Sequence, residues 1–68
     1  MKYAIVIERS EVGYGAYVPD FPGCVAVGQT LSETARLVRE AIEFRLDGLR
    51  QDGIPLPEPS TVTEYVEV

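Results

Sequence analysis

Between two apolar runs lies Tyr17-Val18-Pro19-Asp20-Phe21-Pro22-Gly23-Cys24, and this octapeptide restricts the fold more than any other segment. Pro19 and Pro22 each lock φ and lack an N–H, so neither can occupy the middle of a sheet ladder, and each drives the residue before it into an extended conformation. A strand entering the turn must therefore stop near Val18. Asp20 has a side chain suited to hydrogen-bonding backbone amides two residues on, and Gly23 accepts the positive φ that sends the chain into the next strand. Pro19, Asp20, Pro22 and Gly23 are read as a rigid structural turn, not a reactive loop.

The elements around the turn follow from periodicity and capping chemistry. Met1 to Ile7 is an apolar run with Tyr3, Ile5 and Ile7 on one side and Ala4 and Val6 on the other, the pattern of a strand buried on both faces. A polar connection over residues 8–13 leads to a second strand, Tyr14 to Val18, and beyond the turn Cys24 to Val27 forms a third. Thr30 followed by Glu33 matches a capping box, so a helix starts at Leu31; it runs to about Arg50, before Gly53 and Pro55. Leu31, Ala35, Val38, Ile42, Leu46 and Leu49 share one stripe that packs on a sheet, while Arg36, Arg39, Glu40, Glu43, Asp47 and Arg50 form a solvated face. Leu37, Ala41 and Phe44 make a second apolar strip that the first stripe does not use. Ile54-Pro55-Leu56-Pro57-Glu58-Pro59 is a stiff extended return, and the alternation over Thr61 to Val68 predicts a last strand.

These elements give an α+β domain spanning residues 1–68 in the order β-β-β-α-β. Connection rules place a three-strand meander beside a crossover helix, giving a four-stranded mixed sheet of order 3-2-1-4 with one helix on one face. One helix covers only one side of such a sheet, and a 68-residue chain has little core to spare. Another molecule is expected to cover the rest. The predicted interface residues are Ala4 and Val6 on the first strand, Leu37, Ala41 and Phe44 on the helix, and Glu64 and Glu67 on the last strand, with a homodimer or higher oligomer, a protein partner, or both as the occupant.

Charge narrows the partner. Of the net charge of −5, residues 51–68 contribute −4 through Asp52, Glu58, Glu64 and Glu67. An acidic surface repels a phosphate backbone and attracts a basic protein, so direct nucleic-acid binding is not expected. Cys24 is the single cysteine, which excludes an intrachain disulfide and fits a reducing cytosol. Neither a membrane-length apolar run nor a signal-peptide pattern is present, so a cytoplasmic location is expected.

Catalysis finds no foundation in these residues. The chain has no histidine, so Ser10, Ser32, Ser60 and Cys24 lack the usual activating base. Two-metal nuclease chemistry needs converging carboxylates. The available set of Glu8, Glu33 or Glu40, and Glu64 is poorly placed, because Glu33 is assigned to the helix cap, Glu40 to the solvated face and Glu8 to a strand end beside Arg9. Gly13-Tyr14-Gly15 and Gly48 do not form a phosphate-binding loop. No cofactor, metal or catalytic residue is expected.

The run Gly15-Ala16-Tyr17-Val18-Pro19-Asp20-Phe21-Pro22-Gly23-Cys24, then Gly28-Gln29-Thr30-Leu31 entering an amphipathic helix, and finally Gly53-Ile54-Pro55-Leu56-Pro57 is similar to the HicB-like antitoxin family. The resemblance covers nearly the whole chain, and it implies a partial ribonuclease-H-like fold without nuclease activity. It also implies a non-enzymatic module that inhibits a small basic HicA-type mRNA-cleaving toxin by protein–protein contact. Many family members carry a further DNA-binding segment, ribbon-helix-helix or helix-turn-helix. Here the sequence ends at Val68 with the expected fourth strand, and operator repression is not expected. The alternative reading is a free-standing oligomeric scaffold or small-ligand-binding domain.

Overall fold

The computed structural model describes residues 1–68. Strands β1 (Val6–Ser10), β2 (Gly13–Tyr17) and β3 (Val25–Gly28) precede one long helix, α1 (Leu31–Gln51). The sheet is three-stranded and antiparallel in the order β1-β2-β3. This corrects the expected four-stranded mixed sheet of order 3-2-1-4: the architecture is β-β-β-α, and Thr61–Val68 pairs with no strand. Alternation shows that a segment fits a pleated surface but does not supply the neighbouring strand. In this chain residues 61–68 are exposed throughout.

The first strand also lies further along than its apolar run implies. Its ladder starts at Val6 opposite Tyr17 and ends at Ser10 opposite Gly13, so Glu8, Arg9 and Ser10 are strand and only Glu11 and Val12 form the turn. The shift has a cause in β2. Residues 1–5 would face the stretch beyond Tyr17, where Pro19 ends regular pairing, so they have no ladder partner. The β2–β3 turn closes on its own backbone: Phe21 donates to the Val18 carbonyl (3.0 Å), Cys24 to that of Phe21 (3.0 Å) and Val18 to that of Cys24 (3.3 Å). Gly23 has φ +91°, a region that only glycine enters without strain.

Local chemistry sets both ends of α1. At the start, Glu33 donates its amide to Thr30 Oγ1 (3.0 Å), while Glu33 Oε1 accepts from Gln29 N (2.8 Å), one residue earlier than in an ideal box. At the end, Gly53 donates to the Arg50 carbonyl and Ile54 to that of Leu49, with Gly53 at φ +68°. This is a Schellman closure, which satisfies carbonyls that the helix itself leaves free.

Packing follows from the register. Ile7, Ala16 and Ala26 are aligned across the three strands and turn toward the helix, with Val18, Phe21, Cys24 and Val38 completing the buried cluster. Val38 and Thr34 are fully buried. Thr34 Oγ1 donates to the Thr30 carbonyl (2.8 Å), so its hydroxyl enters the core satisfied. A small residue under this turn is obligatory: a Cβ on Gly28 would lie 2.5 Å from Thr34 Oγ1 and 3.0 Å from the Thr34 amide nitrogen. Phe21 anchors the turn beneath the helix. Its ring meets Tyr3 edge-on at 4.8 Å, and the Arg45 guanidinium lies 5.9 Å from its centroid.

Candidate protein-binding surface

The helix covers one side of the sheet and covers it unevenly, packing most against β3, less against β2 and least against β1. Three surfaces are left open. The first is the far face of the sheet, where Val6, Tyr17 and Val25 form a cross-strand row and Glu8, Gly15 and Val27 form the row beside it. Val27 is 77% exposed and Val25 62%. Apolar strand residues this open give the far face the character of a surface able to take a partner.

A second surface lies along the outer side of β3. Ala41 and Phe44 from α1 line a shallow groove there with Gly23, Cys24, Val25, Glu40 and Arg45. Phe44 is 83% exposed. Val25 belongs to both the groove and the far face, so the two surfaces are continuous around the β3 edge. The third surface lies on the opposite flank, between the unpaired residues before β1 and the helix, where Met1, Tyr3 and Ile5 face Val38, Ile42 and Leu46.

The predicted interface residues fall into separate regions. Ala4 and Val6 are half-buried, with Val6 on the far face of the sheet; Leu37 and Ala41 are half-buried on the helix, and Ala41 shares the β3-side groove with exposed Phe44. Glu64 and Glu67 stand exposed in the extended terminal segment, away from any strand. Sequence reasoning did not single out Tyr17, Val25 and Val27, although the two-residue spacing of the valines puts them on one side of β3.

Asp20 has a role that turn chemistry alone does not reveal. Its carboxylate is reached from forty residues away: Ser60 Oγ and Thr61 Oγ1 each donate to Oδ1 at 2.9 Å, and the amides of Ser60 and Thr61 donate to Oδ2 at 3.3 and 3.4 Å. The Ser60 hydroxyl is the main cause of a pKa held below its ordinary 3.8, with partial desolvation opposing and the Thr61 hydroxyl and both amides reinforcing the shift. Nearby, Tyr3 donates its hydroxyl to the Pro57 carbonyl (2.5 Å). Together these contacts fasten the proline-rich return to the end of the sheet. The carboxylates weighed for metal chemistry, Glu8, Glu33, Glu40 and Glu64, form no cluster of three that could hold an ion.

Known proteins place this architecture in a family. A family model described as the HicB-like antitoxin of bacterial toxin-antitoxin systems matches residues 3–68. A 14.9 kDa protein of the rep-hol intergenic region of Haemophilus phage HP1 is 41% identical over 66 residues, 97% of this chain and 50% of that one. Antitoxin HicB 2 of Photorhabdus laumondii subsp. laumondii is 32% identical over 69 residues, 100% of this chain and 50% of that protein. The chain thus spans half the length of these two relatives, whereas it covers 89% of a UPF0150 protein of Helicobacter pylori at 39% identity. Among solved structures, a HicA3 and HicB3 toxin-antitoxin complex matches with a TM-score of 0.70 and 32% identity, covering 88% of this chain and 70% of the matched chain. A match extending from the residues before β1 through the turn, the capped helix and the return segment establishes that the chain belongs to the HicB-like antitoxin family.

Proposed function

We propose that this chain is a non-enzymatic antitoxin module of the cytosol that holds a small basic HicA-type, mRNA-cleaving toxin inactive by protein–protein contact, and that it self-associates. The observation that carries the reading is the continuous apolar surface running from Val6, Tyr17 and Val25 around the β3 edge to Ala41 and Phe44. Ala4 and Leu37, both half-buried, are assigned to the same proposed interface. Glu64 and Glu67 add to the net charge of −5 that draws a basic partner in. Exposed apolar area supplies the affinity, and charge supplies the encounter rate and the choice of partner.

The reading is tested with a short basic protein encoded beside this chain. Co-expression relieves growth arrest, and the purified chain stops RNA cleavage at stoichiometric amounts. Val27→Asp and Phe44→Asp each abolish that protection, while their thermal melts stay near wild type because neither side chain is in the core. Undiminished protection by both variants, or toxicity that the wild-type chain does not relieve, rejects the proposal.

A further inference from the structure

The groove beside β1 and the terminal segment are complementary in four independent respects. The first is chemical. Met1, Tyr3, Ile5, Ile42 and Leu46 make the groove apolar, and Val62, Val66 and Val68 stand exposed on the segment with only Glu64 interrupting their alternation. The second is length. The helix residues lining the groove run from Ala35 to Arg50, about 22 Å at helical rise, and residues 62–68 extend over about 20 Å as a strand.

Charge is the third. Arg39 borders the groove without an ion-pair partner, beside Glu43 and an Arg50 that already pairs with Asp47 at 3.2 Å, and the segment carries Glu64 and Glu67. Hydrogen bonding is the fourth: β1 is an edge strand and residues 1–5 have no ladder partner, so their backbone groups are free to accept an added strand.

The segment does not reach the groove of its own chain. Asp20 holds its root, Ser60 and Thr61, at the β2–β3 turn, and residues 62–68 leave the body from there, exposed and unpaired. The chain is correspondingly drawn out. Its radius of gyration is 13.2 Å, with a longest extent of 41 Å, against about 11 Å expected for a compact domain of this length.

We propose that residues 62–68 of one copy add as a strand to the β1-side groove of a second copy, and reciprocally. The exchange buries in trans what each isolated chain leaves bare, and a two-fold axis satisfies both copies with one set of contacts. It rests on the self-association proposed above and specifies its interface. It uses the opposite flank of the helix from Phe44, so a toxin on the far sheet face and the β3 edge can bind the exchanged pair.

The test is the concentration dependence of molar mass for the full chain, by size-exclusion chromatography with light scattering. Wild type is a dimer. Val66→Asp in the segment and Ile5→Asp in the groove each raise the apparent dissociation constant at least tenfold, and mixing the two variants restores a dimer-sized species through one intact segment and one intact groove. Val66 lies outside the core, so loss of assembly in that variant is not loss of fold; circular dichroism confirms this for both. Monomeric wild type at high concentration overturns self-association and the exchange together. A dimer that withstands Val66→Asp overturns the exchange alone, as does amide hydrogen exchange at residues 62–68 with no protection in the dimer.

Discussion

Phe21 lies inside the proline-rich turn, yet it is only 2% exposed, so truncating it separates a structural turn from a functional loop. Replacing it with leucine keeps an apolar side chain but removes three things. The edge-on contact with Tyr3 at 4.8 Å is worth about 0.5–1.5 kcal/mol. The Arg45 guanidinium over the ring face at 5.9 Å adds about 0.5–1 kcal/mol. A smaller, differently shaped side chain in a filled site adds roughly 1 kcal/mol of lost packing. We expect Phe21→Leu to destabilise the domain by about 2–3 kcal/mol, out of a total of about 3–10 kcal/mol for a chain of this size. The assay is urea denaturation followed by circular dichroism, in which the midpoint falls and the slope is unchanged. A double-mutant cycle with Tyr3→Leu isolates the ring pair, with a coupling of about 0.5–1.5 kcal/mol. A loss below about 0.5 kcal/mol, the level of ordinary surface changes, or strictly additive effects of the two substitutions, would refute the account of the turn as part of the core.

Three further outcomes are expected. Gly28→Ala drives a methyl against Thr34 in the first turn of the helix and destabilises by about 1–3 kcal/mol; an unchanged urea midpoint contradicts the close approach of β3 to the helix start. Thr30→Ala removes the acceptor for the Glu33 amide and costs about 0.5–2 kcal/mol, most of which Thr30→Ser restores. The Asp20 pKa is lowered on folding, so the clasp contributes fully above the ordinary carboxylate value of 3.8, including at neutral pH, and is lost as pH falls through the lower folded value. In an NMR titration the Ser60 and Thr61 amide shifts stay constant from pH 7 to about 5 and move only at more acid pH, and in Asp20→Asn this transition disappears; movement near neutrality contradicts the clasp.

What the amino-acid order reveals about this domain depends on how local the physics is. The helix could be read almost to the residue, because Thr30, Glu33 and Gly53 act on backbone groups within a few positions of themselves. The end of β2 was equally legible, since Pro19 removes a donor wherever the rest of the chain lies. The start of β1 was not, because it depends on what stands opposite: apolar Tyr3 and Ile5 have no ladder partner, while polar Glu8 to Ser10 pair with residues of β2. Thr61–Val68 carries a strand-like pattern, but a pattern states a capacity and pairing is a relation between two segments. Asp20 shows the same limit on a smaller scale. Its turn position could be read from its neighbours, but its four donors at residues 60 and 61 could not. On the candidate surface Phe44 and Val6 were accessible to periodicity, whereas Tyr17, Val25 and Val27 acquire meaning only when the helix is seen to occupy the other side.

The Asp20 clasp joins positions forty apart in a molecule whose remaining structure is assembled mostly between sequence neighbours: β1 with β2, β2 with β3, and the helix chiefly with the strand before it. Closing so long a loop is entropically unrewarded until the hairpins and helix already stand. We therefore expect the clasp to form after the rate-limiting barrier, so that in stopped-flow measurements Asp20→Asn accelerates unfolding and leaves the folding rate nearly untouched. It governs how long the return segment stays docked, not how quickly the domain arises.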